Sequence, residues 1–182
     1  MSNVPNRKPL FTTRMLAYGA LCIALSLALS QVRLFRMPQG GSITPASMLP
    51  LIAFALAYGP LPSAVVSLAY GLLQLLLGGY IVHPVQAILD YPLGYMGIAL
   101  CGFYAKASPK WNYIAGALCV GLWQFACYVL SGVVFFAEYA PEGQPVLIYS
   151  MAYNSFVFVE IAICIAVLAI PQVRRTLARI MA

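Results

Sequence analysis

The chain has 182 residues, of which 63% are hydrophobic and 8% charged, with a formal net charge of +6. A soluble domain carries roughly 25% charged residues, and four acids with ten bases cannot cover a chain of this size in water. Composition thus excludes a soluble globular domain and ties the positive charge to membrane topology rather than to a nucleic-acid footprint.

A helix needs about 20 residues to cross a hydrocarbon core of about 30 Å. The apolar stretches predict spans over residues 13–32, 47–58, 62–78, 85–104, 113–136 and 148–170. Together they make a single all-α membrane domain of six spans over residues 1–182, with no soluble domain, internal repeat or low-complexity tract.

Arg7 and Lys8 before the apolar run from Met15 resemble a signal peptide. No small-residue cleavage site leads into a polar mature domain, so the run reads as the first span. It carries Ala20, Ala24 and Ala28, one per helical turn. Such a stripe lets another helix approach closely, either within the same bundle or on a partner.

The following link, Arg33 to Thr44, contains MPQGGS (Met37–Ser42), whose paired glycines permit a tight, non-helical path. The second span is short for a crossing, and irregular backbone near Pro45 and Pro60 would complete it. At that depth such backbone needs protein or water to satisfy it. AYGPLP (Ala57–Pro62) reads as a turn on Gly59 and Pro60.

The fourth span holds Asp90, within VQAILDYPLGY (Val85–Tyr95). An intramembrane carboxylate costs about 2.5–3.5 kcal/mol on insertion scales and by default marks a function. No lysine or arginine falls within the predicted bilayer core to pair with it, so a cationic ligand is the natural partner. Tyr80 and Tyr91 flank it. Tyr128, Phe135, Phe136 and Tyr139 gather at the outer end of the fifth span, and Tyr149, Tyr153 and Asn154 open the sixth. Aromatics around a carboxylate suit a flat organic cation. An interfacial aromatic belt explains the tyrosines equally well, but not Asp90 or Asn154 among them. Trp123 falls in the fifth span near these residues. Glu160, deeper in the sixth span, could face a pocket, pair within the bundle or be protonated.

Charge placement fixes an expected orientation. With both termini and the Lys106–Lys110 link inside, the cytoplasmic side holds Arg7, Lys8, Arg14, Lys106, Lys110, Arg174, Arg175 and Arg179. Only Arg33 and Arg36 fall outside, beside Glu138 and Glu142, as the positive-inside tendency requires. The five cysteines lie in apolar stretches without CxxC spacing and read as small buried hydrophobes. No Walker, HExxH or GxGxxG motif is present, and His83 alone cannot build a multi-histidine metal centre. No cofactor or metal is expected.

The segments RLFRMPQGGSIT (Arg33–Thr44), HPVQAILDYPLGY (His83–Tyr95), SGVVFFAEYAPEG (Ser131–Gly143) and YSMAYN (Tyr149–Asn154) fall in order along the chain. Together they resemble the thiamine-specific S-components, the ThiT/YuaJ family, of energy-coupling-factor (ECF) transporters. The resemblance implies a six-helix protein of the bacterial plasma membrane that captures thiamine from outside and catalyses nothing. It also implies three partners: a transmembrane coupling subunit and two cytoplasmic ATPase subunits. Carried over residue by residue, the pocket acid is Asp90, with Tyr91 and Tyr80 beside it and Phe136 as the stacking aromatic. Tyr149 and Asn154 complete the pocket, and Ala20 and Ala24 face the coupling subunit. Departures fall at Tyr128 and Gln124, where relatives carry a histidine and a lysine, and at Asp90 and Phe136, where others carry Glu and Trp. Two alternatives stand beside this reading: an S-component for riboflavin or a pyridoxine-like vitamin, and an intramembrane enzyme using Asp90 and Glu160 as acid and base.

Overall fold

The computed structural model describes residues 11–104, 112–173 and 175–176. Arg7, Lys8, Lys106, Lys110, Arg174 and Arg179, on which the charge argument drew, lie outside the described residues.

Thr12 opens the first helix: its extended backbone and hydroxyl cap the Met15 amide at 3.2 Å, and α1 runs Thr13–Gln31. Its buried face carries Met15, Gly19, Ser26 and Ser30. Ala20, Ala24 and Ala28 lie on the opposite, exposed face, so packing inside this bundle does not account for the small-residue stripe. The next link folds into a hairpin of two-residue strands, β1 (Phe35–Arg36) and β2 (Ser42–Ile43), pairing Phe35 with Ile43 and Arg36 with Ser42. This small sheet amends the all-helical expectation. Gly40 and Gly41 turn the hairpin at φ of +88° and +81°, a region closed to most side chains.

The second span is short, as expected from the sequence, and begins two residues later. Helix α2 runs only Leu49–Tyr58, about 15 Å at 1.5 Å per residue. Residues 44–48 lead into it as irregular, buried backbone, with Ala46 at φ +63°. Leu51, Ile52, Phe54 and Ala55 of α2 are buried, as suits a helix apolar on every side. Gly59, at φ +85°, makes the expected turn, and Pro60 begins α3 (Pro60–Leu76), where its missing N–H costs nothing.

The fourth predicted span, a uniform helix over 85–104, is instead a composite. Helix α4 (Pro84–Ile88) passes into a π-helical turn (Leu89–Leu93), one turn of α5 (Gly94–Met96) and a 3-10 stretch (Gly97–Tyr104). Pro92 cannot donate to the ladder and its ring crowds the preceding turn, so the helix widens there. Gly71 of α3 packs directly on the bulge; a Cβ on it would stand 2.7 Å from the Tyr91 carbonyl oxygen.

Helix α6 (Asn112–Phe135) ends in a 3-10 turn at Ala137–Tyr139. The last span divides into α7 (Val146–Asn154) and α8 (Phe156–Ala169). At the junction Asn154 Nδ2 donates to the Ser150 carbonyl at 2.9 Å and Ser155 Oγ donates to that of Ala152 at 2.7 Å, side-chain bonds that compete with the helix ladder. Among the described residues three stretches are long and apolar enough to cross a membrane, Thr13–Gln31, Tyr113–Phe135 and Val146–Ala169; α2 and α3 are shorter. The core is built around α2, with Ile98, Val120, Ile161 and Leu168 from the later segments. Cys101, Cys127 and Cys164 are buried, Cys22 and Cys119 half-buried, and all five are free thiols, in keeping with their reading as core hydrophobes.

Candidate binding cavity

A cavity of about 340 Å³ lies between the hairpin, the π-helical bulge, α6 and the last span. Small-molecule sites occupy roughly 300–1,000 Å³. All the pocket residues expected from the sequence line it: Tyr80, Asp90 and Tyr91 from one side, Gln124, Tyr128 and Phe136 from α6 and its end, and Tyr149 and Asn154 from α7. Tyr139 and Tyr153 join them, whereas Phe135 turns away and stacks on His83 at 4.9 Å.

The bulge sets the position of the carboxylate. Gln86, buried one turn before Asp90, donates from Nε2 to Asp90 Oδ2 at 2.5 Å and to the Tyr80 carbonyl at 3.0 Å. Its Oε1 accepts the Val82 amide at 3.0 Å, so one side chain ties the 80–82 link to the acid. The donor that holds the Asp90 carboxylate is neutral, the Gln86 amide. Sequence reasoning missed Gln86; its spacing of four residues from Asp90 on a helix was the available signal.

Asp90 Oδ1, Gln124 Oε1 and Ser131 Oγ are buried without a hydrogen-bond partner, and all three residues line the cavity. A buried acceptor left unpaired costs about 1–3 kcal/mol. These atoms therefore favour a ligand that brings donors or positive charge. Asn154 adds to the acceptor character: its Nδ2 is taken by the carbonyls of Tyr128 at 3.2 Å and Ser150 at 2.9 Å, leaving the amide oxygen for a ligand.

The walls are aromatic. Tyr80 and Phe136 face each other as stacked rings 6.1 Å apart, Tyr149 and Tyr153 stand at 6.0 Å, and Tyr128 stacks on Phe156 at 6.3 Å. Tyr91 holds this arrangement by accepting the Tyr80 amide at 2.7 Å. At the rim, a hydrogen bond to Tyr80 raises the Tyr139 phenol above its usual range. Of the Glu138–Gly143 loop, only Tyr139 reaches the cavity.

Two residues whose roles the sequence left open take definite places. Trp123 does not line the cavity; it donates to the Leu93 carbonyl at 2.9 Å from a partly exposed position on α6. Glu160 does line it, at the floor, where Oε1 accepts Thr44 Oγ1 at 2.5 Å and Ser47 Oγ at 2.6 Å. The amides of Ser47 and Met48 face the same carboxylate. Glu160 thus satisfies the irregular entry to α2.

Residues 16–179 match the family model described as thiamine transporter protein (Thia_YuaJ). The chain is 32% identical over 158 residues to the thiamine transporter ThiT of Bacillus subtilis, across 77% of this chain and 82% of that protein. It is 30% identical over 122 residues to ThiT of Lacticaseibacillus paracasei, across 59% of this chain and 61% of that one. A solved structure of ThiT from Listeria monocytogenes has the same fold, with a TM-score of 0.75 at 24% identity, covering 92% of this chain and 96% of that chain. These relatives are named as transporters, which sets aside catalysis by Asp90 and Glu160. With its apolar helices of membrane length, the chain is a multi-pass protein of the bacterial plasma membrane, and it belongs to the Thia_YuaJ family of thiamine transporter proteins.

Proposed function

We propose that this chain captures thiamine from the outer side of the membrane as the S-component of an ECF importer. The observation that carries the reading is the pairing of unpartnered, buried acceptors at Asp90 and Gln124 with the Tyr80–Phe136 ring pair. Thiamine meets both demands. Its thiazolium brings a fixed positive charge, its aminopyrimidine brings an N–H donor pair, and both rings are flat. Asp90 offsets the charge or accepts from the amine, Phe136 and the tyrosines stack on the rings, and Asn154 and Tyr149 meet polar edges. Gln124 and Tyr128 take neutral places in this scheme. A neutral vitamin could offer a donor to Asp90 but no positive charge to offset the carboxylate.

The membrane arrangement in this proposal is a single domain of six crossings with both termini inside. The α3 helix and the composite Pro84–Tyr104 segment supply two further crossings beside the three long helices. The α2 helix supplies the last, completed by the backbone that Glu160 satisfies. The basic residues then lie mostly inside, and the hairpin over the cavity lies outside. Binding alone cannot accumulate a solute, so a transmembrane coupling subunit and two ATPases supply the work, with the exposed Ala20 and Ala24 face of α1 as the docking surface for the coupling subunit. The test is uptake of labelled thiamine by cells that express this chain with and without an ECF coupling module. ATP-dependent accumulation only with the module is expected; equal accumulation without it would overturn the S-component role.

A further inference from the structure

Tyr153, Phe156, Val157 and Glu160 recur at helical spacing on one side of the last span, and all four line the cavity. This side also grips the Arg33–Thr44 link at two levels. At the tip, the Tyr153 hydroxyl accepts the Gln39 amide at 2.9 Å and donates to the Gly40 carbonyl at 3.0 Å. Next to it Gly41 lies flat on Phe156; a Cβ there would come within 2.8 Å of the ring. At the base, Glu160 holds Thr44 and Ser47.

We infer that Tyr153 is a positioning residue for the ligand site: its hydroxyl latches the hairpin tip over the cavity and so sets how long a ligand stays. The argument is geometric. A phenol has one donor and an acceptor oxygen, and Tyr153 spends both on backbone groups of adjacent residues in the hairpin turn. Removing the hydroxyl therefore frees two backbone groups at once. The base remains held by Glu160 and the ring remains in place, so the tip opens while the bundle stays intact. Met37, Gly40 and Ser42 line the cavity from that tip, and its opening exposes the ligand directly to the outside.

The test combines two measurements on the full-length protein in nanodiscs, comparing Tyr153→Phe with the unaltered chain. The first is hydrogen–deuterium exchange of the 37–43 segment without ligand; the second is the dissociation rate of thiamine by displacement. Loss of a hydrogen-bond pair predicts exchange at the tip and thiamine release that are both about fivefold faster. Protection in α2 and α6 and the melting temperature should be unchanged or nearly so. Unchanged exchange at the tip overturns the latch, even if release quickens, because Tyr153 would then act by touching the ligand. Faster exchange with unchanged release overturns its control of residence time. The kinetic arm rests on thiamine as the ligand, whereas the exchange arm does not. A chain that fails to bind thiamine therefore sinks that assignment without deciding the latch, which exchange decides alone.

Discussion

Gln86 and Asp90, one helical turn apart, divide the carboxylate between structure and ligand: Oδ2 accepts Gln86 Nε2 at 2.5 Å while Oδ1 is buried without a partner. Asp90→Asn should weaken thiamine binding about tenfold or more, about 1.4 kcal/mol, because it removes the charge. Gln86→Leu should cost less, since the charge survives but loses its orientation. Calorimetric titration of both variants checks the order; equal losses would mean that orientation matters as much as charge.

Phe136 faces Tyr80 across the cavity at 6.1 Å. Replacing Phe136 with Ala removes one ring of the pair and should reduce affinity about tenfold, from stacking of about 0.5–1.5 kcal/mol together with lost apolar contact. Phe136→Trp keeps a stacking face and should retain most of the affinity. Competition against labelled thiamine measures both.

Glu160 acts on the fold. Glu160→Ala strands the Thr44 and Ser47 hydroxyls and the entry of α2, and should destabilise the ligand-free protein by about 1–3 kcal/mol. Glu160→Gln keeps an acceptor oxygen and should lose less. Thermal unfolding without ligand reads the effect; a melting temperature unchanged in the Ala variant contradicts the capping role.

Gly132 sets the spacing between α6 and α7. A Cβ on it would stand 2.1 Å from Ser150 Oγ and 3.3 Å from Asn154 Nδ2. Gly132→Ala should push the two helices apart at the cavity wall, costing about 1–3 kcal/mol by overpacking and weakening ligand binding along with stability. Unfolding and binding measured on the same preparation should fall together.

Much of the site was legible because chemistry that is costly in a membrane stands out. A carboxylate at Asp90 and an amide at Asn154 among aromatics have no cheap explanation in hydrocarbon, and the fold brings them to one cavity. The extents of α1 and α6 and the Gly59–Pro60 turn were equally readable, because apolar runs and proline act locally. What sequence did not reveal depends on tertiary contacts. The bulge at Leu89–Leu93 needs Pro92 together with the close approach of Gly71. The shortness of α2 was legible, but not that Glu160, more than a hundred residues away, satisfies the irregular backbone before it. Trp123 was placed near the pocket by its position along α6, but its azimuth turns it to the Leu93 carbonyl.

The central claim is that the unpartnered acceptors select a cationic, donor-bearing ligand, and calorimetry tests it most directly. The purified chain would be titrated with thiamine, with oxythiamine, in which a carbonyl replaces the pyrimidine amine, and with riboflavin. The account predicts saturable thiamine binding, oxythiamine weaker by about tenfold or more for the lost donor, and no riboflavin binding. Equal affinity for thiamine and oxythiamine, or tighter binding of riboflavin, would contradict it.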